Sequence, residues 1–306
     1  MNVRTMPRND RALVYRKLAK RPARTPAPCI LCGTVTMLTK EHMVSKWAKR
    51  FVPAFHGTAH ELSATYADSP FDNFMRHDLG NGQLASTGDH RGKGPHALCP
   101  ACNSKFGSQL EVSARPYLEH VFTKIPFSLD LAGQTAVSRW TFLKAAVAES
   151  TVTSQGGISV DMRRFFHQTG DVPNQTYIFL RPLMVDKMSV ARGAFRIRSG
   201  YLLDAFEPAR VGEPPTLHWQ ATLFSCGDVA FLVTAINEPV RHEIYSPPIL
   251  QWARENEWQC IAPTQVRVTN ELDLTLVYPI DEQQFFRTID DLHLAIGAEQ
   301  RRIRLD

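Results

Sequence analysis

The chain has 306 residues, 43% hydrophobic and 21% charged, a length that accommodates a real core and suggests about two domains. No apolar run approaches the roughly 20 residues of a membrane span, and no apolar stretch follows the basic N-terminus to make a secretory signal, so the expected location is cytoplasmic. The net charge of +5 is unevenly placed, because residues 1–50 carry twelve Lys and Arg against only Asp10 and Glu41. A basic end suits a polyanionic partner, since neutralising phosphates releases their counterions. A solvated leader is the other reading of the charge alone.

In chain order, residues 1–28 close on the Pro-rich stretch Arg24-Thr-Pro-Ala-Pro28 and read as a basic leader or linker, with a short basic helix around 10–20. A motif-dense segment, 29–118, follows. Within it Val44, Trp47, Ala48 and Phe51 recur at helical spacing, which predicts a helix over Glu41 to Phe51. Residues 53–95, rich in Gly, Ser, Asp and His, read as a long irregular insertion of the kind that often carries function. Another helix is expected from Cys102–Asn103 through Leu110 towards His120.

Past residue 119 the texture changes. Trp140 to Val152 predicts a buried helix, and Asp161 to Gln168 a second one closed by Gly170. Strand-like runs then cover Thr176–Leu180, Ala194–Arg198, Thr216–Ser225, Val229–Ile236 and Thr275–Val277. Cys226-Gly227-Asp228 between two of these runs reads as a hairpin turn. The fold class is therefore α+β, with residues 119–306 forming a helix plus antiparallel-sheet domain.

Of six cysteines, Cys226 and Cys260 stand alone and read as small hydrophobes. The other four form two C-x-x-C pairs, Cys29/Cys32 and Cys99/Cys102. In a reducing compartment such pairs favour metal over disulfides, and two pairs across a long span match a tetrahedral zinc site made of four cysteines. A metal clip of this kind stabilises most where little hydrophobic core is available.

Two further pieces lie in order with the cysteines: Lys40-Glu41-His42 between the pairs, and Asn103 directly after the last Cys. With these the sequence resembles the HNH endonuclease family, whose ββα-metal core often carries a four-cysteine zinc knuckle. In that family an Asp-His pair ends a strand between the knuckles, and a His or Asn follows the final Cys at a helix start. Glu41-His42 falls in the first slot and Asn103 in the second. The runs Leu38-Thr-Lys-Glu-His-Met-Val-Ser-Lys-Trp47 and Cys99-Pro-Ala-Cys-Asn-Ser-Lys-Phe-Gly-Ser-Gln-Leu-Glu111 resemble a subgroup with Glu-His in place of Asp-His. The likeness covers roughly residues 29–120.

The resemblance implies a ββα-metal core with a structural zinc and an endonuclease that hydrolyses phosphodiester bonds, DNA above RNA. It implies His42 as general base, and Glu41 and Asn103 as holders of a catalytic Mg2+ or Mn2+. The family's middle Asn, which helps fix the catalytic His, has no clean equivalent; His96 lies near its slot, with Asp89 and His90 further off. Lys40, Lys46, Lys49 and Arg50 are expected to grip the backbone of double-stranded DNA. HNH cores are commonly fused to domains that choose the target or restrain the nuclease, as in restriction and phage defence. The resemblance therefore implies that residues 119–306 are an accessory domain for target recognition, regulation or dimerisation, with a homodimer through this C-terminal domain as one expectation.

The chemistry suits that assignment. A neutral His with a pKa of about 6.5 can take a proton from water at neutral pH. One hard divalent ion in oxygen ligands neutralises charge developing on phosphate, and oxygen donors favour Mg2+ or Mn2+ over a second zinc. Each residue also has a plainer reading. His42 is then a surface histidine at a helix start, Glu41 a favourable charge in the first turn, and Asn103 a helix cap. Glu111 reads as a solvated helix face before a further ligand or a partner for Lys40. His120 and His167 read as structural histidines, and Trp140, Trp219, Trp252 and Trp258 as core. Together the plainer readings describe a non-catalytic zinc module that binds nucleic acid or protein.

Overall fold

The computed structural model describes residues 25–42, 45–51, 95–123, 127–150, 158–184, 195–200, 219–237, 239–263, 272–274 and 277–303. The helix expected around 10–20, all but the last residue of the insertion expected over 53–95, and most of the strand expected over Thr275–Val277 lie outside them.

Tight local hydrogen bonding organises the N-terminal part. The Gly33 N–H donates to the Cys29 carbonyl at 2.9 Å and the Cys29 N–H to the Thr34 carbonyl at 3.0 Å. Gly33 takes φ +76° to close this knuckle, a conformation that costs other residues steric strain. The chain then folds back, pairing β1 (Ala27–Pro28) with β2 (Val35–Thr36). Next, β3 (Thr39–Lys40) pairs antiparallel with β4 (His96–Leu98), with a register shift between Thr39 and Lys40. Directly after β4 a helix begins at Pro100, where the missing N–H of proline costs no hydrogen bond. Its first turns are π-helical over Cys102–Gly107 and continue as α1 (Ser108–Thr123).

Of the helix expected over Glu41 to Phe51, the described residues form a 3-10 segment, Lys46–Arg50. Ser45 stands at its N-cap, but its hydroxyl caps nothing there; it donates instead to Glu111 Oε1 at 2.5 Å. The entry of the segment is thus set by a tertiary contact with α1, not by local capping.

The remaining elements form layers. Helix α2 (Leu131–Glu149) starts at Asp130, whose carboxylate accepts from the Gly133 N–H at 2.7 Å. Helix α3 (Val160–Thr169) is capped by Ser159 and ends at Gly170 with φ +75°, the left-handed stop that glycine supplies. Five antiparallel strands, β6 (Thr176–Pro182), β7 (Phe195–Gly200), β8 (Trp219–Cys226), β9 (Val229–Ile236) and β10 (Gln259–Ala262), build a sheet in the order β10-β6-β9-β8-β7. A short strand β5 (Ser128–Leu129) pairs with β11 (Leu272–Asp273) beside it.

Both faces of this sheet are covered. Ile178, Leu180, Phe224, Phe231 and Val233 point to one core, which also holds Trp140 and Leu143 of α2 and the cysteine knuckles. The alternate residues Tyr177, Phe179, Leu223 and Leu232 point to a second core, filled by Ile249 and Trp252 of α4 (Pro239–Glu255) and Phe285 and Leu292 of α5 (Glu282–Ile303). Period-two alternation therefore exists in space, yet both sets are apolar. Trp140, Trp219, Trp252 and Trp258 are all buried, in keeping with their reading as core. The boundary expected at 118/119 falls inside α1, and a single core runs across it.

Candidate metal centre and the polar cluster beside it

Cys29, Cys32, Cys99 and Cys102 bring their sulfurs within 4.8 Å of one another, and three of the four side chains are buried. None is disulfide-bonded. Four thiolates about 2.3 Å from a tetrahedral zinc sit about 3.8 Å apart, and Cys32 Sγ lies 3.7 Å from Cys99 Sγ. The cluster can thus hold a metal such as zinc. Backbone geometry prepares it: the Cys102 N–H points at Cys99 Sγ at 3.3 Å, and Ile30 N–H donates to the Ala97 carbonyl at 3.0 Å, tying the first knuckle to β4.

The thiols are unequal. Burial works against ionising Cys32, but the Thr34 hydroxyl and backbone and the neighbouring thiols outweigh it and bring its pKa down to about 6. Burial and the surrounding sulfurs push Cys102 up, and burial pushes Cys29 up. Four sulfurs crowded together without a cation share protons, and a metal replaces them. His167, expected to be structural, brings Nε2 to 3.4 Å from Cys102 Sγ and so ties α3 to the second knuckle.

The residues singled out between the knuckles sit at the end of β3. Glu41 donates its N–H to the Pro95 carbonyl at 2.9 Å. Asn103 Nδ2 donates to Thr39 Oγ1 at 2.9 Å and, more weakly, to the Lys40 carbonyl at 3.4 Å, so the helix start is stitched to the strand that delivers Glu41 and His42. The half-buried His42 ring keeps Nδ1 away from solvent without a hydrogen-bond partner among the described residues. An imidazolium there would leave a buried N–H unpaired. Burial first, then Lys49 and Lys46, depress its pKa below the ordinary 6.5, against the opposing pull of Glu41. Burial and the lysines thus both favour the neutral ring.

Glu41 was expected as an open metal ligand. It is 7% exposed, and its Oε1 accepts a hydrogen bond at 2.6 Å from Lys144, a side chain on α2 with no solvent exposure. Only its second oxygen is left for a metal. Lys144 Nζ also donates to the His42 carbonyl at 2.9 Å and to Glu111 Oε1 at 3.0 Å. Burial alone would lower the ammonium's pKa, but the two carboxylates outweigh it and raise it. Lys144 and the Ser45 hydroxyl in turn hold Glu111 below its ordinary range, against the effect of burial. Glu111 is thus an ion-pair partner and not a solvated face. Among the described residues the four cysteines are the one group of three or more His, Cys, Asp or Glu at metal-binding spacing.

His96 lies opposite Lys40 in the β3–β4 pairing, with its side chain exposed. Lys40 and Lys46 are exposed and Lys49 is half-buried. Arg50 is exposed but engaged, its Nη2 lying 2.7 Å from Glu119 Oε1, an oxygen that also accepts from Arg115 Nε at 2.8 Å. No family model matches the chain, and no curated protein or solved structure matches it.

Sequence reasoning missed Lys144. Its signal was present as a lone cation in the apolar run Trp140-Thr-Phe-Leu-Lys-Ala-Ala-Val-Ala148, since a lysine on a buried helix requires a partner.

Proposed function

We propose that the chain is a metal-dependent endonuclease of the HNH type, acting on DNA, with a zinc in its four cysteines and His42 as the general base. The supporting observation is the stitch between Asn103 and the strand β3 that leads into Glu41-His42, next to the cluster of four cysteines. Antiparallel β3 and β4 followed by the helix from Pro100 to Thr123 fit a ββα core. The chemistry of the donor set suits a sparsely held divalent ion. The free oxygen of Glu41 and the amide oxygen of Asn103 would supply two donors, and Mg2+ characteristically keeps several waters. Such an ion supplies charge neutralisation at the scissile phosphate. The neutral imidazole of His42 takes the proton of the attacking water, and exposed Lys40 and Lys46 give the phosphate backbone a cationic surface.

The test is nicking of supercoiled plasmid by zinc-loaded protein in Mg2+ or Mn2+. Loss of a general base costs on the order of a hundredfold or more, so His42→Ala is expected to cut at about 1% of the wild-type rate or less. Equal cutting by both proteins would remove His42 from the mechanism.

A second reading has its own observation. The burial of Glu41 against Lys144 suits a carboxylate retained for structure, and then the chain is a non-catalytic zinc module that binds nucleic acid or protein. DNA binding without nicking by the freshly loaded wild type would favour it.

A further inference from the structure

We propose that Lys144 is a positioning residue of the hydrolytic site, reaching from α2 to hold the segment that carries His42 against α1; the inference rests on the nuclease reading above. The ammonium has three N–H donors and three acceptors around it: Glu41 Oε1 at 2.6 Å, the His42 carbonyl at 2.9 Å and Glu111 Oε1 at 3.0 Å. Every donor is matched. Two of the acceptors lie on consecutive residues directly after β3, and the third on α1.

The same Glu111 oxygen accepts from the Ser45 hydroxyl at 2.5 Å. Lys144 and Glu111 therefore grip the chain on both sides of residues 43–44, at 41–42 and again at 45. The contact at residue 42 is to the backbone carbonyl, so the clamp fixes where the side chain starts from without engaging the imidazole itself. A hydrophobic side chain of similar length would fill the same space in α2 without the cost of burying a charge, so packing alone does not call for a lysine. A cation does what an apolar side chain cannot: it fixes the Glu41 carboxylate through one oxygen and orients the adjoining peptide.

A catalytic group displaced by about 1 Å loses on the order of a hundredfold in rate. Lys144→Met and the double variant Lys144→Met with Glu111→Gln, which leaves fewer unpaired carboxylates, test the idea. Fold and zinc content are checked by near-UV circular dichroism and metal analysis, and amide hydrogen exchange is followed over residues 39–42. Nicking is split into kcat and KM. At least one folded, zinc-loaded variant is expected, with faster exchange over 39–42, kcat reduced about a hundredfold and KM within about threefold of wild type.

A folded variant that exchanges and cuts like wild type overturns the proposal. Global unfolding of both variants overturns it too, because Lys144 would then hold the fold as a whole and not this segment. If the wild type binds DNA but never cuts it, the nuclease reading fails by itself. The exchange arm still decides on Lys144: acceleration over 39–42 supports the clamp, and unchanged exchange refutes it.

Discussion

Burial acts in the same direction on Lys144 and His42, favouring the neutral form of each; the neighbours overturn it at Lys144 and add to it at His42. Lys144 meets two carboxylates and stays charged, its pKa raised above the ordinary 10.5, whereas His42 meets mostly lysines and its pKa falls below 6.5. Linkage turns both into stability. The folded state holds fewer protons on His42 than the unfolded chain, so stability declines as pH falls below 6.5 towards the folded pKa. Glu111, depressed below its ordinary 4.5, adds stability that is present above that value and disappears as pH falls through the folded one. The Lys144 contribution is complete below 10.5 and is lost as pH rises through its raised pKa. Thermal melts across pH are thus expected to show a decline beginning near 6.5 and steepening below 4.5; an undiminished melting temperature down to about pH 4 would contradict the burial of these groups. Glu41 shows how a residue's type differs from its role. Its position beside His42 was legible, but its pairing partner lies 103 residues away on another helix, and no local pattern connects the two.

Among the elements, those with chemical punctuation were readable in advance. The α3 helix runs between a Ser cap and a left-handed Gly170, and the β8–β9 hairpin closes on Gly227 with Cys226 opposite Val229. These two glycines make a matched experiment. Both have positive φ, but a Cβ at Gly170 meets nothing within 4 Å, whereas one at Gly227 meets the Phe122 carbonyl of α1 at 2.8 Å. Gly170→Ala is expected to cost about 1–2 kcal/mol for the backbone conformation alone. Gly227→Ala should cost visibly more, since the hairpin must also retreat from α1; equal losses in denaturant titration would show that the turn moves freely. Elements with misleading punctuation were not found. Helix α4 contains Pro247 and Pro248, which in sequence mark a break. The 41–51 segment has helical spacing, but its described residues form a 3-10 helix over Lys46–Arg50, and Ser45 at the N-cap serves Glu111 in place of the local backbone.

For the whole molecule, the cysteine cluster is the joint between the N-terminal knuckle and the core under the sheet. Cys29, Cys99 and Cys102 belong to the same buried cluster as Trp140, Phe166 and Phe231, so stripping a metal ion from the sulfurs that can hold one is expected to reach beyond the knuckles. Chelation under reducing conditions, or Cys99→Ser, should lower the melting temperature and speed hydrogen exchange over 25–51 and 95–123, with the α4–α5 face of the sheet affected less; an unchanged melt would mean that the sulfurs hold no structural ion. No helix among the described residues is long and apolar enough to cross a membrane. The α+β class, the gathering of four cysteines, the hairpin and the buried tryptophans were determined by sequence alone, because each depends on short-range spacing or on a residue type with one dominant preference. What only the tertiary structure decided is the sharing of one core across residue 118, the sandwiching of the sheet between two apolar layers, and the polar cluster around Lys144. The physical reason is common to all three: a buried charge or a two-sided strand is defined by partners far along the chain, and periodicity carries no record of which partner arrives.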